Sequence, residues 1–194
     1  MSHIVEGAPE AQRGAIAALL QVAFIGKIGP VYGQGAAGRA LLASRLQLDR
    51  CLVALEKDRL LGVAGYALGG RRLIIPPGFV ALLRARGLAG LPGWAAAALL
   101  HRREPPDLLL MDGIAVAPAL RGRGIGTLLL RAMCRLAARH GKRGVRLDVV
   151  DTNPRARGLY EREGFVAVAD QRLGAFGRAV FGFSTATRLE RPTG

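Results

Sequence analysis

Two stretches that fold by different rules meet at a run of glycines, and that junction constrains this chain more than any other feature. Leu108 to Val116 (LLLMDGIAV) starts apolar at successive positions, as a central strand covered on both faces does. From Gly124 to His140, Ile125, Leu128, Leu129, Ala132, Met133, Leu136 and Ala137 recur at helical spacing, while Arg131, Arg135 and Arg139 line the opposite side. Gly141 stands just past this helix, where a C-cap belongs. Between strand and helix runs Arg121-Gly122-Arg123-Gly124-Ile125-Gly126. The first amides of a helix have no partner within it, and the helix dipole adds partial positive charge at that end. Glycines let the backbone come close to an oxygen. Arg121 and Arg123 bring charge and Thr127 a hydroxyl, so the junction suits an anion. Each helix-end contribution is about 0.3–1 kcal/mol, so several must converge to hold a diphosphate. No Gly-Lys-Ser/Thr follows, which excludes a P-loop. An ordinary tight turn, made soluble by arginine, fits the same six residues, so the neighbouring sequence has to decide.

That sequence reads as alternating elements. Residues 3–6 predict a short strand, followed by a helix with Ile16, Leu19, Leu20, Ala23 and Phe24 on one face. A glycine-rich break over 26–38 precedes a second short helix at about 39–47. CLVALE (51–56) and LLGVAGYA (60–67), separated by Lys57-Asp58-Arg59, predict a β-hairpin. Residues 70–106 predict a helical insertion, FVALLRARGL and LPGWAAAALLHRR, split by Gly90-Leu91-Pro92-Gly93. It either covers the sheet, walls a binding pocket, or lies on a membrane surface. After the junction, Val145–Val150 predicts a strand, and Asn153 caps a helix that has Pro154 at its first position and ends near Glu163-Gly164. Residues 165–169 and about 178–190 predict two closing strands. The length of 194 residues suits a single domain over 1–194.

Bulk properties narrow the class. The formal charge is +14 and 51% of residues are hydrophobic, which points to a folded chain with anionic partners. Only Lys27, Lys57 and Lys142 are lysines, and the arginines are spread along the chain, so compositional bias explains the charge as well as nucleic-acid binding does. No nucleic acid is expected as a partner, since the aromatic interleaving of single-strand platforms is missing. Cys51 and Cys134 form no framework or CxxC spacing, and reduced thiols in a cytoplasmic protein are expected. MSHIVEGAPE is not a signal peptide, and the longest apolar stretch, 87–100, is too short for a membrane span. No metal-ligand cluster is visible.

Ile114-Ala115-Val116-Ala117-Pro118, the run from Arg121 to Gly126, and Leu128-Leu129 are followed by Asn153-Pro154-Arg155-Ala156, Leu159-Tyr160-Glu161 and Gly164-Phe165. Together they resemble the acetyl-CoA signature of the GNAT superfamily of N-acetyltransferases, with close matching over about residues 108–166. The resemblance implies an α/β fold, a mixed, mostly antiparallel sheet with helices on both faces and a splayed central strand pair. It implies acetyl-CoA as acyl donor and direct attack by an amine in a ternary complex. Ile114, Ala115 and Val116 then pair with the pantetheine arm. The amides of Arg121, Gly122, Arg123, Gly124, Ile125, Gly126 and Thr127 take the pyrophosphate. Asn153 contacts the cofactor while also capping its helix. Tyr160, two turns along that helix, falls where the family places the acid that protonates the departing thiolate. A phenol of pKa about 10 can donate to a thiolate whose acid lies near 8.5.

An alkylamine of pKa about 10 is mostly ammonium at pH 7, and neutralising it costs about 4 kcal/mol. A carboxylate, directly or through water, can take that proton. Asp148 matches a carboxylate used as base in some family members, and strand alternation turns it away from Leu147 and Val149. Asp112 on the preceding strand is the second candidate, and either can instead pair with an arginine such as Arg146. His101 and His140 have local explanations. Cys51 and Cys134 lie in no motif with a histidine, which argues against an acyl-thiol intermediate. The acceptor, a small-molecule or protein amine, is left open, as is the oligomeric state, although homodimers are frequent in the family. A CoA-binding regulatory module without catalysis is the rival reading.

Overall fold

The hairpin is dictated most locally. In the computed structural model, which describes residues 3–76, 78 and 103–193, β2 (Cys51–Glu56) and β3 (Arg59–Leu68) pair antiparallel around Lys57 and Asp58, both at positive φ (46° and 62°). Two such residues form the turn whose twist matches that of the strands it joins. β1 (His3–Glu6) adds to the outer edge of β2. On the far side of β3 lies β5 (Leu108–Val116), followed in the sheet by β6 (Gly144–Val150), β8 (Thr185–Pro192) and β7 (Val166–Arg172); β4 (Arg71–Arg72) pairs with the end of β3.

Among these strands, only β5 and β6 run parallel. A parallel pair needs a crossover, and α4 (Ile125–Arg139) supplies it. The pairing is short: Leu108↔Gly144, Leu109↔Val145 and Leu110↔Arg146. Beyond it β5 stays on β3 as far as Gly62↔Val116, and β6 stays on β8 as far as Val150↔Ala186. The sheet therefore opens between them, which is the splayed central pair expected from the resemblance.

Strand alternation sorts the core into layers. On β2, Leu52 and Ala54 face one side, and Cys51, Val53 and Leu55 the other. The first side is covered by α4, whose Leu129, Leu130, Met133 and Leu136 are fully buried, and by α5 (Pro154–Arg162). The second is covered by α1 (Arg13–Ala23), α2 (Ile25–Tyr32) and α3 (Gly35–Ala43), through Ile16, Leu20, Tyr32 and Leu42. α6 (Gly174–Phe181) lies on the second side as well, since Phe181 and Phe183 pack with Val150 and Ala186. Arg13 ties α1 to α3 by donating to the carbonyls of Ala43 (2.9 Å) and Leu46 (2.8 Å). Among the described residues no helix is long and apolar enough to cross a membrane.

Two expectations need correction. The glycine-rich break at 26–38 is largely helical, as α2 and α3, and the helix expected at 39–47 runs from 35 to 43. Glycine lowers intrinsic helix propensity by about 1 kcal/mol, but burial of one face outweighs that. The break itself is Gly33-Gln34, flanked by left-handed backbone at Gly33 (φ 83°) and Gly35 (φ 70°). The closing strand expected at 178–190 begins at Thr185; residues 174–181 are helical, and Gly182 at φ 77° stops the helix. The segment expected as an insertion at 70–106 opens with β4, after Gly69 and Gly70 turn the chain and both their amides donate to the Glu104 carboxylate at 2.9 Å. The two helices expected within it lie outside the described residues.

A Cβ at Gly38 would sit 2.5 Å from the Gly33 carbonyl oxygen and 2.9 Å from that of Tyr32. Both are backbone atoms that cannot rotate away. Glycine-to-alanine in a helix ordinarily gains up to about 1 kcal/mol, whereas overpacking costs about 1–3 kcal/mol. Gly38→Ala is therefore expected to lower stability in urea titration by about 1–2 kcal/mol; a stabilised variant would contradict this joint between α2 and α3.

Candidate cofactor and acceptor site

The chain leaves β5 through a turn of 3-10 helix at Pro118–Leu120, held by the Ala117 amide on the Leu61 carbonyl (2.9 Å). Gly122 (φ 80°) and Gly124 (φ 77°) then take left-handed conformations, and nothing lies within 4 Å of where either would carry a Cβ. Gly124 caps α4 with no side-chain hydrogen bond, and the first bond of the helix is Leu128 N–H to the Gly124 carbonyl (3.0 Å). The amides of Ile125, Gly126 and Thr127 thus precede the helix ladder. Among the described residues none accepts from the amides of Gly122, Arg123 or Gly124. The cradle is open to solvent and not filled by its own side chains. The third glycine differs, since a Cβ at Gly126 would stand 2.9 Å from Leu159 of α5. The Thr127 side chain stands near the Glu163 carboxylate and helps to lower its titration.

Ile114, Ala115 and Val116 pair with β3 along one edge. Their other edge faces the opening, because β6 has already diverged. Just before them β5 carries a bulge: Gly65 pairs with Gly113 and Tyr66 with Met111, leaving Asp112 as the extra residue. Met111 and Ile114 both pack on the α4 side, so the two residues between them belong to the α1–α3 side. There the Phe24 ring lies over Gly113, within 2.8 Å of where a Cβ would be. Asp112 lies 4.0 Å from Arg72.

Asp148 occupies the same depth on β6. Asp112 and Asp148 each stand two residues past the last pair, Leu110↔Arg146. Leu147 and Val149 enter the α4-side core, so Asp148 faces the α1–α3 side, as alternation predicted. Its side chain is 8% exposed, with Arg188 of β8 directly opposite and 3.9 Å away. α2 and α6 meet above this opening, where a Cβ on Gly26 would lie 3.1 Å from the Phe181 carbonyl oxygen. The splay thus brings Asp112 and Asp148 to one side and the glycine loop to its mouth.

α5 carries the remaining candidates. The Asn153 side-chain carbonyl accepts from Ala156 N–H (3.2 Å), as a cap should. Tyr160 is buried, its ring tilted at 59° to Phe165 with centroids 6.0 Å apart. Glu163, at the end of α5, joins three elements: Arg131 of α4 donates to it (2.9 and 3.3 Å), Arg191 of β8 lies at 3.9 Å, and Thr127 reaches it from the first turn of α4. The Arg131 hydrogen bond is the main reason its carboxyl titrates below the ordinary value. The cysteines do not suit acyl transfer. Cys51 is fully buried, donates to the Leu48 carbonyl (3.2 Å), and burial pushes its thiol up to about 12. Burial also raises the Cys134 thiol.

Sequence reasoning missed Arg72, Arg188, Phe24 and Glu163. Arg188 becomes visible only once the β6–β8 register sets it opposite Asp148. In the sequence Glu163 marks only the end of a helix. His101 lies outside the described residues.

Residues 36–165 match the model of the Acetyltransferase (GNAT) family. N-alpha-acetyltransferase 40 of Saccharomyces cerevisiae is 45% identical over 73 residues, which is 34% of this chain and 25% of that protein; the chain thus spans about a quarter of that curated relative's length. Two solved structures share the fold nearly end to end. One is a GCN5-related N-acetyltransferase from Kribbella flavida (22% identity, TM-score 0.60, 98% of this chain and 97% of that one). The other is yncA of Salmonella typhimurium, solved with its cofactor acetyl-CoA (18% identity, TM-score 0.61, 100% and 94%).

The Glu163 side chain is only 10% exposed, but Arg131 is 59% exposed, so solvent weakens their pairing. Glu163→Gln is expected to cost on the order of 1–2 kcal/mol at pH 7. A carboxyl titrating lower in the folded than in the unfolded state stabilises fully above its ordinary value, here 4.5, and that contribution fades as pH falls through the folded value. Urea titrations of parent and variant should therefore differ at pH 7 and converge in acid; a gap that does not change with pH would assign the effect to packing instead.

Proposed function

The chain belongs to the GNAT family of acetyltransferases, and on that premise we propose that it transfers the acetyl group of acetyl-CoA directly to an amine in a ternary complex. The observation that carries this is the unfilled run of amides at the start of α4, at the mouth of the β5–β6 opening. The two left-handed glycines leave room for phosphate oxygens where side chains would otherwise stand.

Acetyl-CoA supplies a thioester whose carbonyl carbon the amine attacks, with loss of the CoA thiol. The backbone from Arg121 to Thr127 holds the diphosphate, with Arg121 and Arg123, both exposed, adding charge. The open edge of Ile114, Ala115 and Val116 pairs with the pantetheine amides as a strand would. The Asn153 side chain accepts within its own helix and keeps its amide N–H groups for the cofactor. Tyr160 gives a proton to the departing sulfur. Asp148 takes a proton from the incoming amine, directly or through one water, with Asp112 as the second candidate. Two free cysteines suit a reducing compartment such as the cytoplasm. The single acyltransferase domain extends over the whole chain, with the segment between β4 and β5 as its insertion. A polypeptide α-amine is a second reading of the acceptor, favoured by the identity shared with the yeast N-alpha-acetyltransferase.

Release of free CoA thiol from acetyl-CoA, measured over a panel of amines, tests the reading; tight CoA binding without release would favour a sensor. In calorimetry Gly124→Glu should weaken CoA binding at least tenfold, because the added carboxylate faces the phosphates. Its left-handed backbone costs about 1–2 kcal/mol, so a melting curve should show it still folded. Unchanged affinity would end the cradle assignment. Tyr160→Phe should lower kcat at least tenfold with CoA affinity within about twofold, the scale of a lost general acid; equal loss of both would mark Tyr160 as packing alone.

A further inference from the structure

On the α1–α3 side of the opening two carboxylates each face one guanidinium. Asp148 lies 3.9 Å from Arg188, and Asp112 lies 4.0 Å from Arg72. These two pairs add no net charge to that side. An amine arriving as ammonium adds one positive charge to it, at a place where Asp148 is 8% and Asp112 21% exposed, so water screens little. When Asp148 turns to the ammonium or takes its proton, Arg188 is left without its counter-charge. A half-buried guanidinium in that state is costly. The +14 charge of the chain acts in the same direction.

We propose that the acceptor is an amine that carries its own carboxylate, and that Arg188, with Arg72 beside it, reads that group. This rests on the transferase reading above and narrows it. A zwitterion adds no net charge, so the amine goes to Asp148 while its carboxylate replaces the charge that Arg188 loses. The Asp148–Arg188 pair is wider than a hydrogen bond, and a planar guanidinium with five donors can take a carboxylate side-on. Neither a simple alkylamine nor a polycationic segment provides this compensation.

The test compares acid with amide in two arms, using thiol release from acetyl-CoA by the full chain. One arm is a free amino acid against its carboxamide, alanine against alaninamide, and the other is peptides beginning with Asp or Glu against Asn or Gln. At least one arm should favour the acid by tenfold or more in kcat/KM, and the arm that does so separates a free amino acid from a polypeptide. The acetylated acid should also bind CoA-saturated protein more tightly than the acetylated amide in calorimetry. Arg188→Gln should bring the acid-to-amide ratio near one, and Arg188→Lys should restore part of it. Equal use of acid and amide, a preference for Lys- or Arg-led peptides, or an Arg188→Gln variant that slows both acceptors with the ratio intact would each overturn the proposal. Absence of acetylation in the whole panel, with CoA bound, would overturn the transferase reading itself.

Discussion

Beyond Leu110 and Arg146, β5 and β6 share no ladder, and each follows its outer neighbour. Because the two strands run parallel, the chain can return from one to the other only by a crossover, and α4 must begin at the carboxyl end of β5. The divergence opens at that same end. One topological choice thus sets the first amides of a helix beside a strand edge that has no strand partner among the described residues, in the position where open α/β sheets take their ligands. Had β5 and β6 stayed paired to their ends, the edge of Ile114–Val116 would be closed and Asp112 and Asp148 would flank a continuous sheet.

The bulge at Asp112 makes the second contribution. It lets β5 keep Met111 and Ile114 in the α4-side core while turning two consecutive residues to the other side. One of them is a carboxylate; the other has no side chain, and Phe24 fills the space. Without the extra residue, Ile114 or Met111 would have to leave the core. The acceptor side is therefore furnished from the backbone, and its side chains are held by ion pairs with strands on either flank.

Legibility in the sequence followed the range of the interaction involved. β5, α4, the Asn153 cap and the hairpin at Lys57-Asp58 are set by residues within one or two turns of each other, and they came out at or near their observed bounds. α2 and α6 were missed because their glycines weaken local propensity; contacts distant in sequence hold them, such as Gly26 against Phe181. The pairing of Asp148 with Arg188 depends on strand register, which no local pattern reports. The facing of Asp148 was readable from alternation alone, since Leu147 and Val149 declared the core side.

The three glycines of the loop look alike in the sequence but answer to different constraints. Gly122 and Gly124 are needed for their dihedral angles and face open space, whereas a methyl group at Gly126 would press only on the far end of the Leu159 side chain. Variation at the first two is limited by what the loop must hold, and variation at the third by whichever residue stands at position 159. A new rotamer of Leu159, or a smaller residue there, would make room for alanine at 126, whereas no neighbour can relieve the backbone demand at 122 and 124.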